Sequence, residues 1–104
     1  MAKYVLAYRG GGMAETPEAQ DAVMKAWIDW FGSLGAAVID GGNPFGPSKL
    51  VDSSGAVSDG NAAALTGYSV LDAAGLDDAT TKAKGCPVLA SGGTIDVYEA
   101  IEMG

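Results

Sequence analysis

The stretch Leu65-Thr66-Gly67-Tyr68-Ser69-Val70-Leu71-Asp72-Ala73 decides the fold. It alternates, with Tyr68, Val70 and Asp72 on one side and Ser69, Leu71 and Ala73 on the other. That period of two is the signature of a β-strand. Asp77 to Lys84 then reads as a short helix, with Asp77 as N-cap, Asp78 and Lys82 paired at i,i+4, and Gly85 and Pro87 as its end. Thr94 to Met103 reads as a last strand, with Ile95, Val97 and Ile101 on one side.

Working back from Leu65, Asp59 to Ala63 is a loop. Ser48 to Asp52 and Ala56 to Ser58, separated by Ser53-Ser54-Gly55, form a small hairpin. Ala37 to Asp40 is a short strand broken by Gly41-Gly42-Asn43-Pro44. A helix precedes it, with Thr16 as N-cap, Pro17 at the first helical position, an end near Leu34 and Gly35 as its stop. Residues 3–8 are the first strand. The order β-α-β-(hairpin)-β-α-β is the split βαβ, ferredoxin-like arrangement: an α+β fold with an antiparallel sheet, in one domain over residues 1–104. In that topology both helices cover one side of the sheet, and pairing two sheets face to face covers the other. A homodimer is the expectation.

The long helix carries more apolar surface than one sheet needs. Ala19, Val23, Ala26, Trp27, Trp30 and Leu34 share one face, opposite Asp21, Lys25 and Asp29. Met24, Ile28 and Phe31 widen the arc and call for a second contact, either another helix or a partner subunit.

The chain has 104 residues, 48% of them hydrophobic, which suits one folded domain with a modest core. Thirteen acids against six bases give a net charge of −7, and the bases Lys3, Arg9, Lys25, Lys49, Lys82 and Lys84 are scattered. Nucleic acid and anionic membranes are therefore unsuited partners. The apolar run Tyr4 to Ala7 is too short for a signal peptide or a membrane span, and a cytoplasmic location is expected. Cys86 is the single cysteine, so no internal disulfide forms, as suits a reducing compartment. There is no histidine, which excludes Ser-His-Asp and Cys-His catalysis, an imidazole base and zinc sites built from Cys and His. No cofactor is expected.

Few residues remain for chemistry. Gly10-Gly11-Gly12 between strand and helix lacks the dinucleotide fingerprint, which needs glycine at position 15, where Glu15 stands. It also lacks the Gly-Lys-Ser/Thr of a P-loop. Arg9, the only arginine, is positioned to clamp a ligand carboxylate or to pair with a surface acid. Tyr8, Trp27, Trp30 and Tyr68, with Phe31, gather where the long helix meets the sheet, as the lining of a small-molecule site or as core packing. Asp40, ending its strand before two glycines, is the candidate base. Cys86 has no cationic neighbour in sequence to activate it and reads as a buried structural thiol.

Gly67-Tyr68-Ser69-Val70-Leu71-Asp72-Ala73, Leu76-Asp77-Asp78-Ala79, Cys86-Pro87 and Gly93-Thr94-Ile95-Asp96-Val97 together resemble the YCII-related (DGPF) domain family. The resemblance implies a ferredoxin-like fold forming a dimeric α/β barrel. Some members carry a His-Asp pair proposed as catalytic, and this chain has no histidine to match it. Asp59-Gly60 match the start of the namesake motif, and Asn61-Ala62 replace its Pro-Phe. The expectation is a divergent member that binds a small organic molecule as a dimer, or a cofactor-free enzyme using carboxylate or tyrosine groups. The alternative is a non-catalytic interaction or assembly module on the same scaffold.

Overall fold

A computed structural model describes residues 2–11, 15–60 and 65–103. The elements run β1 (Ala2–Arg9), α1 (Pro17–Leu34), a 3-10 turn at Gly35–Ala37, β2 (Val38–Asp40), β3 (Lys49–Val51), β4 (Val57–Asp59), β5 (Leu65–Ala73), α2 (Leu76–Ala83), α3 (Pro87–Ala90) and β6 (Thr94–Ala100). The fold is α+β. Four strands form an antiparallel sheet in the order β2-β5-β1-β6, and β3 pairs only with β4. Gly12-Met13-Ala14 of the glycine-rich loop and Asn61-Ala62-Ala63-Ala64 lie outside the described residues.

Register fixes what each side of the sheet carries. Tyr4 lies opposite Leu71, Leu6 opposite Ser69 and Tyr8 opposite Gly67, and on the other flank Leu6 lies opposite Val97 and Tyr8 opposite Ile95. These residues face the helices. Leu6, Tyr8 and Leu71 pack with Trp30 of α1, Ala83 of α2, Cys86 and Val88 of α3, while Tyr4 and Ala73 pack with Ala79. All three helices thus lie on one side. The other side presents Val5, Ala7, Tyr68, Val70, Asp72, Asp96 and Tyr98, and we call it the open face. The molecule measures 44 × 42 × 18 Å. Its thin dimension is that of one sheet and one helix layer, stacked about 10 Å apart.

The helix ends follow their sequence signals in part. Thr16 accepts a hydrogen bond from the Ala19 N–H at 3.1 Å, and Gly35 ends α1 with φ +57°. Lys25 pairs with Asp29 at 2.9 Å on the exposed side. The expected core face of α1 is shorter than the periodicity indicates. Trp27, Trp30, Phe31 and Leu34 pack on the sheet, whereas Val23 and Ala26 are exposed, because only the C-terminal half of the helix reaches the core.

Three boundaries differ from expectation. Gly75, not Asp77, is the N-cap of α2. Asp78 instead reaches back past the N-cap to accept the Ala74 N–H at 3.0 Å while holding Lys82 at 2.8 Å. Lys82, then the Ala74 N–H, keep the Asp78 carboxyl below its ordinary range. Pro87 does not only end a helix; it starts α3 as the first helical residue. β6 stops at Ala100, so Ile101 lies beyond the sheet and is exposed. Among the described residues no helix is long and apolar enough to cross a membrane.

Candidate functional site

The structure divides the aromatic and charged candidates between the two sides of the sheet. Tyr8, Trp27, Trp30 and Phe31 form one cluster on the helix side, with Trp27 edge-on to Tyr8 at 5.4 Å and to Trp30 at 5.7 Å. Trp30 is buried and donates from Nε1 to the Lys82 carbonyl at 3.1 Å. Tyr68 is not in this cluster. The register that sets Tyr8 opposite Gly67 turns the neighbouring Tyr68 to the open face, where its ring stacks on Phe45 at 5.6 Å.

Arg9 is paired. Its Nε donates to Asp96 Oδ2 at 2.8 Å, and both side chains remain more than two-fifths exposed. The hydrogen bond that Arg9 donates to Asp96, then the charge of Asp96, raises the guanidinium further.

Asp40 and Tyr68 do come together. The Tyr68 hydroxyl donates to Asp40 Oδ2 at 3.4 Å, and the Gly42 N–H donates to Asp40 Oδ1 at 2.8 Å. Local sequence explains the arrangement. Gly42 has φ +76° and lies so close to β5 that a Cβ there would overlap the Tyr68 carbonyl, so only glycine lets the chain turn against that strand. The loop then follows the edge of β5, with the Tyr68 N–H donating to the Asn43 carbonyl at 3.3 Å and the Phe45 N–H to the Thr66 carbonyl at 2.9 Å. This path delivers Phe45 onto Tyr68.

A buried relay fixes the loop from beneath. Ser69 is fully buried. It accepts from the Tyr8 hydroxyl at 2.8 Å and donates to the Gly41 carbonyl at 2.7 Å. Burial holds the Tyr8 phenol well above its usual pKa and also raises the Cys86 thiol beside it. Tyr8, expected as a ligand contact, thus bears on the site through Ser69 and the Asp40–Gly41–Gly42 turn.

The candidate site lies on the open face. Ala7 is buried between its cross-strand neighbours Tyr68 and Asp96, whose strands lie about 10 Å apart. Phe45 also borders an open cleft of about 360 Å³ formed with Gly46, Pro47, Ser48 and Leu65. A ring can stack on the exposed Phe45, and Asp40 offers acceptors to a ligand hydroxyl or amine. Among the described residues no three His, Cys, Asp or Glu side chains gather as metal ligands.

The sequence missed Phe45 and Ser69 as parts of this arrangement, and left open which acid pairs with Arg9. Only Ser69 left a signal: a hydroxyl alternating with Leu71 and Ala73 on the core side of a strand requires a buried partner. Gly11 and Gly60 sit where the fold leaves no room for a side chain. A Cβ on Gly11 would lie 2.7 Å from Val88, and one on Gly60 would overlap Ser48 at the base of the hairpin. No protein-family model matches the chain, and no curated protein matches it.

Proposed function

We propose that this chain is a divergent YCII-related protein that binds a small organic molecule as a homodimer, with the site on the open face at Asp40, Tyr68 and Phe45. The observation that carries the reading is the Tyr68–Asp40 contact, fixed on three sides by Gly42, Phe45 and the Ser69 relay. The strand order β2-β5-β1-β6, with both long connections on one side, supports a ferredoxin-like scaffold. The open face supports its pairing with a second copy as a dimeric α/β barrel, because Val5, Val70 and Tyr98 lie there under no second layer. Asp72 Oδ1 is an acceptor with no hydrogen-bond partner among the described residues and lies on the same side; a donor from the facing copy would satisfy it. The single, buried Cys86 suits a reducing cytoplasm.

The ligand class follows from the site. Asp40 accepts hydrogen bonds, and Arg9 is engaged by Asp96, so a neutral or cationic ring bearing a hydroxyl or amine fits better than a carboxylate. Any catalysis on this reading runs through the Asp40 carboxylate and the Tyr68 hydroxyl, without imidazole. The test is an amide-shift titration with phenol, benzylamine and benzoate. The expected result is shifts at Asp40, Gly42 and Tyr68 with the first two compounds, lost in Tyr68→Ala. No shift with any of the three at millimolar concentration overturns the reading.

A non-catalytic interaction module is the second reading, and one observation favours it. Met24 and Ile28, one turn apart on α1, are each 63% exposed, an apolar stripe on the side away from the sheet.

A further inference from the structure

The cleft beside Phe45 is not used by the Asp40–Tyr68 contact, and the local sequence explains its presence. From Gly42 the loop follows the edge of β5 as far as Phe45, whose N–H donates to the Thr66 carbonyl at 2.9 Å. Gly46 and Pro47 come next, and proline has no N–H with which to continue along a strand edge. The chain is held again at Ser48, whose carbonyl accepts the Gly60 N–H at 3.0 Å at the base of the hairpin. Between these two anchors the loop and Leu65, at the start of β5, enclose about 360 Å³. That volume falls within the range of about 300–1,000 Å³ usual for small-molecule sites.

The lining is one-sided in its chemistry. Phe45, Pro47 and Leu65 bring apolar side chains, and the Ser48 hydroxyl is the one polar side-chain group among the lining residues. Lys49, next along the chain, is paired with Asp59 at 2.6 Å. No lining residue carries a charge, so the cleft suits hydrocarbon. Phe45 is 46% exposed and Leu65 38%, so both have apolar surface left to bury.

Phe45 joins this cleft to the site. Its ring stacks on Tyr68 at 5.6 Å, and the Tyr68 hydroxyl reaches Asp40. Asp40, Tyr68, Phe45 and the cleft therefore follow one another in contact, polar at one end and apolar at the other. The polar end has room for a donor. The Tyr68–Asp40 contact is 3.4 Å, longer than the about 2.5–3.0 Å of a closed O–H···O bond, and the carboxylate oxygens have lone pairs to spare.

We propose that the cleft is the tail subsite of the same ligand, and that the ligand is an extended amphiphile: an amine or hydroxyl head on Asp40, a ring on Phe45 and an unbranched hydrocarbon tail in the cleft. The proposal rests on the small-molecule reading and narrows it, from a lone ring to one extended at the end opposite its polar group. The net charge of −7 favours the approach of a cation, so an amine head is the probe of choice.

The test is an amide-shift titration of the full chain with benzylamine and with 4-butylbenzylamine. Burying about two of the butyl carbons tightens binding about 10-fold. The second compound should show that gain, and should add shifts at Gly46, Ser48 and Leu65 to those at Asp40, Gly42 and Tyr68. Leu65→Thr keeps a strand-forming residue, and Pro47→Ser changes an exposed loop position; each removes apolar wall. The ratio of the two Kd values, taken within each variant, should fall to about 3-fold or less. A butyl gain below about 2-fold, a ratio unchanged in both variants, or added shifts confined to α1 around Met24 and Ile28 overturns the tail subsite and leaves the small-molecule reading standing. Silence at Asp40, Gly42 and Tyr68 with both compounds overturns the two together.

Discussion

Replacing Ser69 with alanine removes a single oxygen and unpairs two groups at once. The Tyr8 hydroxyl loses its acceptor at 2.8 Å and the Gly41 carbonyl its donor at 2.7 Å. A hydrogen bond of this kind contributes about 0.5–1.5 kcal/mol net, and a buried polar group left unpaired costs about 1–3 kcal/mol. Gly41 is exposed, so water can satisfy its carbonyl; Tyr8 is 5% exposed and retains only the weak acceptor of Cys86. The Tyr8 hydroxyl therefore dominates, and Ser69→Ala should cost about 2–3 kcal/mol. Tyr8→Phe, which removes the stranded hydroxyl itself, should cost about 1–2 kcal/mol. The double variant should cost little more than Ser69→Ala alone, a coupling of about 1 kcal/mol or more. Urea unfolding followed by circular dichroism, at one fixed protein concentration, measures all four corners of the cycle. A Ser69→Ala loss below about 0.5 kcal/mol, or strict additivity, would refute the relay.

Trp30→Ala should cost about 3–5 kcal/mol, because the ring is buried against Trp27, Phe31 and the backbone of Gly85 and its indole N–H is bonded; a loss under about 1 kcal/mol in the same urea assay rules out a core role. Stability should fall at alkaline pH. Burial raises both Tyr8 and Cys86 in the folded chain, so the unfolded chain releases those protons first, near about pH 8.5 for the thiol and about pH 10 for the phenol. The contribution is complete below those values and is lost as pH rises toward the folded ones, so the urea midpoint should decline above about pH 8.5 and less steeply above pH 10 in Tyr8→Phe. A midpoint that stays level to pH 11 contradicts it.

The sequence was most legible where periodicity and burial coincide. Leu65 to Ala73 alternates as written, and its two sides face core and open face as the pattern requires. The candidate site was harder to read because it depends on register. Tyr8 and Tyr68 look equivalent in sequence, and only the pairing of Tyr8 with Gly67 sends them to opposite sides. Asp40 was visible as a carboxylate before two glycines, but its partner was not, since the loop from Gly41 to Phe45 takes its path from contacts with β5. At Asp77 and Pro87, residues suited to two roles took the one that the tertiary structure left open. On α1 the apolar arc ran past the core it was read against, leaving Val23, Met24 and Ile28 in solvent.

The placement of β1 between β5 and β6 has a consequence for how the protein is made. β1, made before the other strands of its sheet, is flanked on both sides by strands from the other half of the sequence, with Val5 lying opposite Val70 on one flank and Tyr98 on the other. While the ribosome is still producing the middle of the chain, β1 has neither of its neighbouring strands to join, and α1 has no sheet on which to place Trp30. Contacts of such long sequence separation form slowly. The nascent chain is thus obliged to keep its core unfinished until β6 emerges. The interval before then, and not the finished fold, is when the protein is most exposed to aggregation.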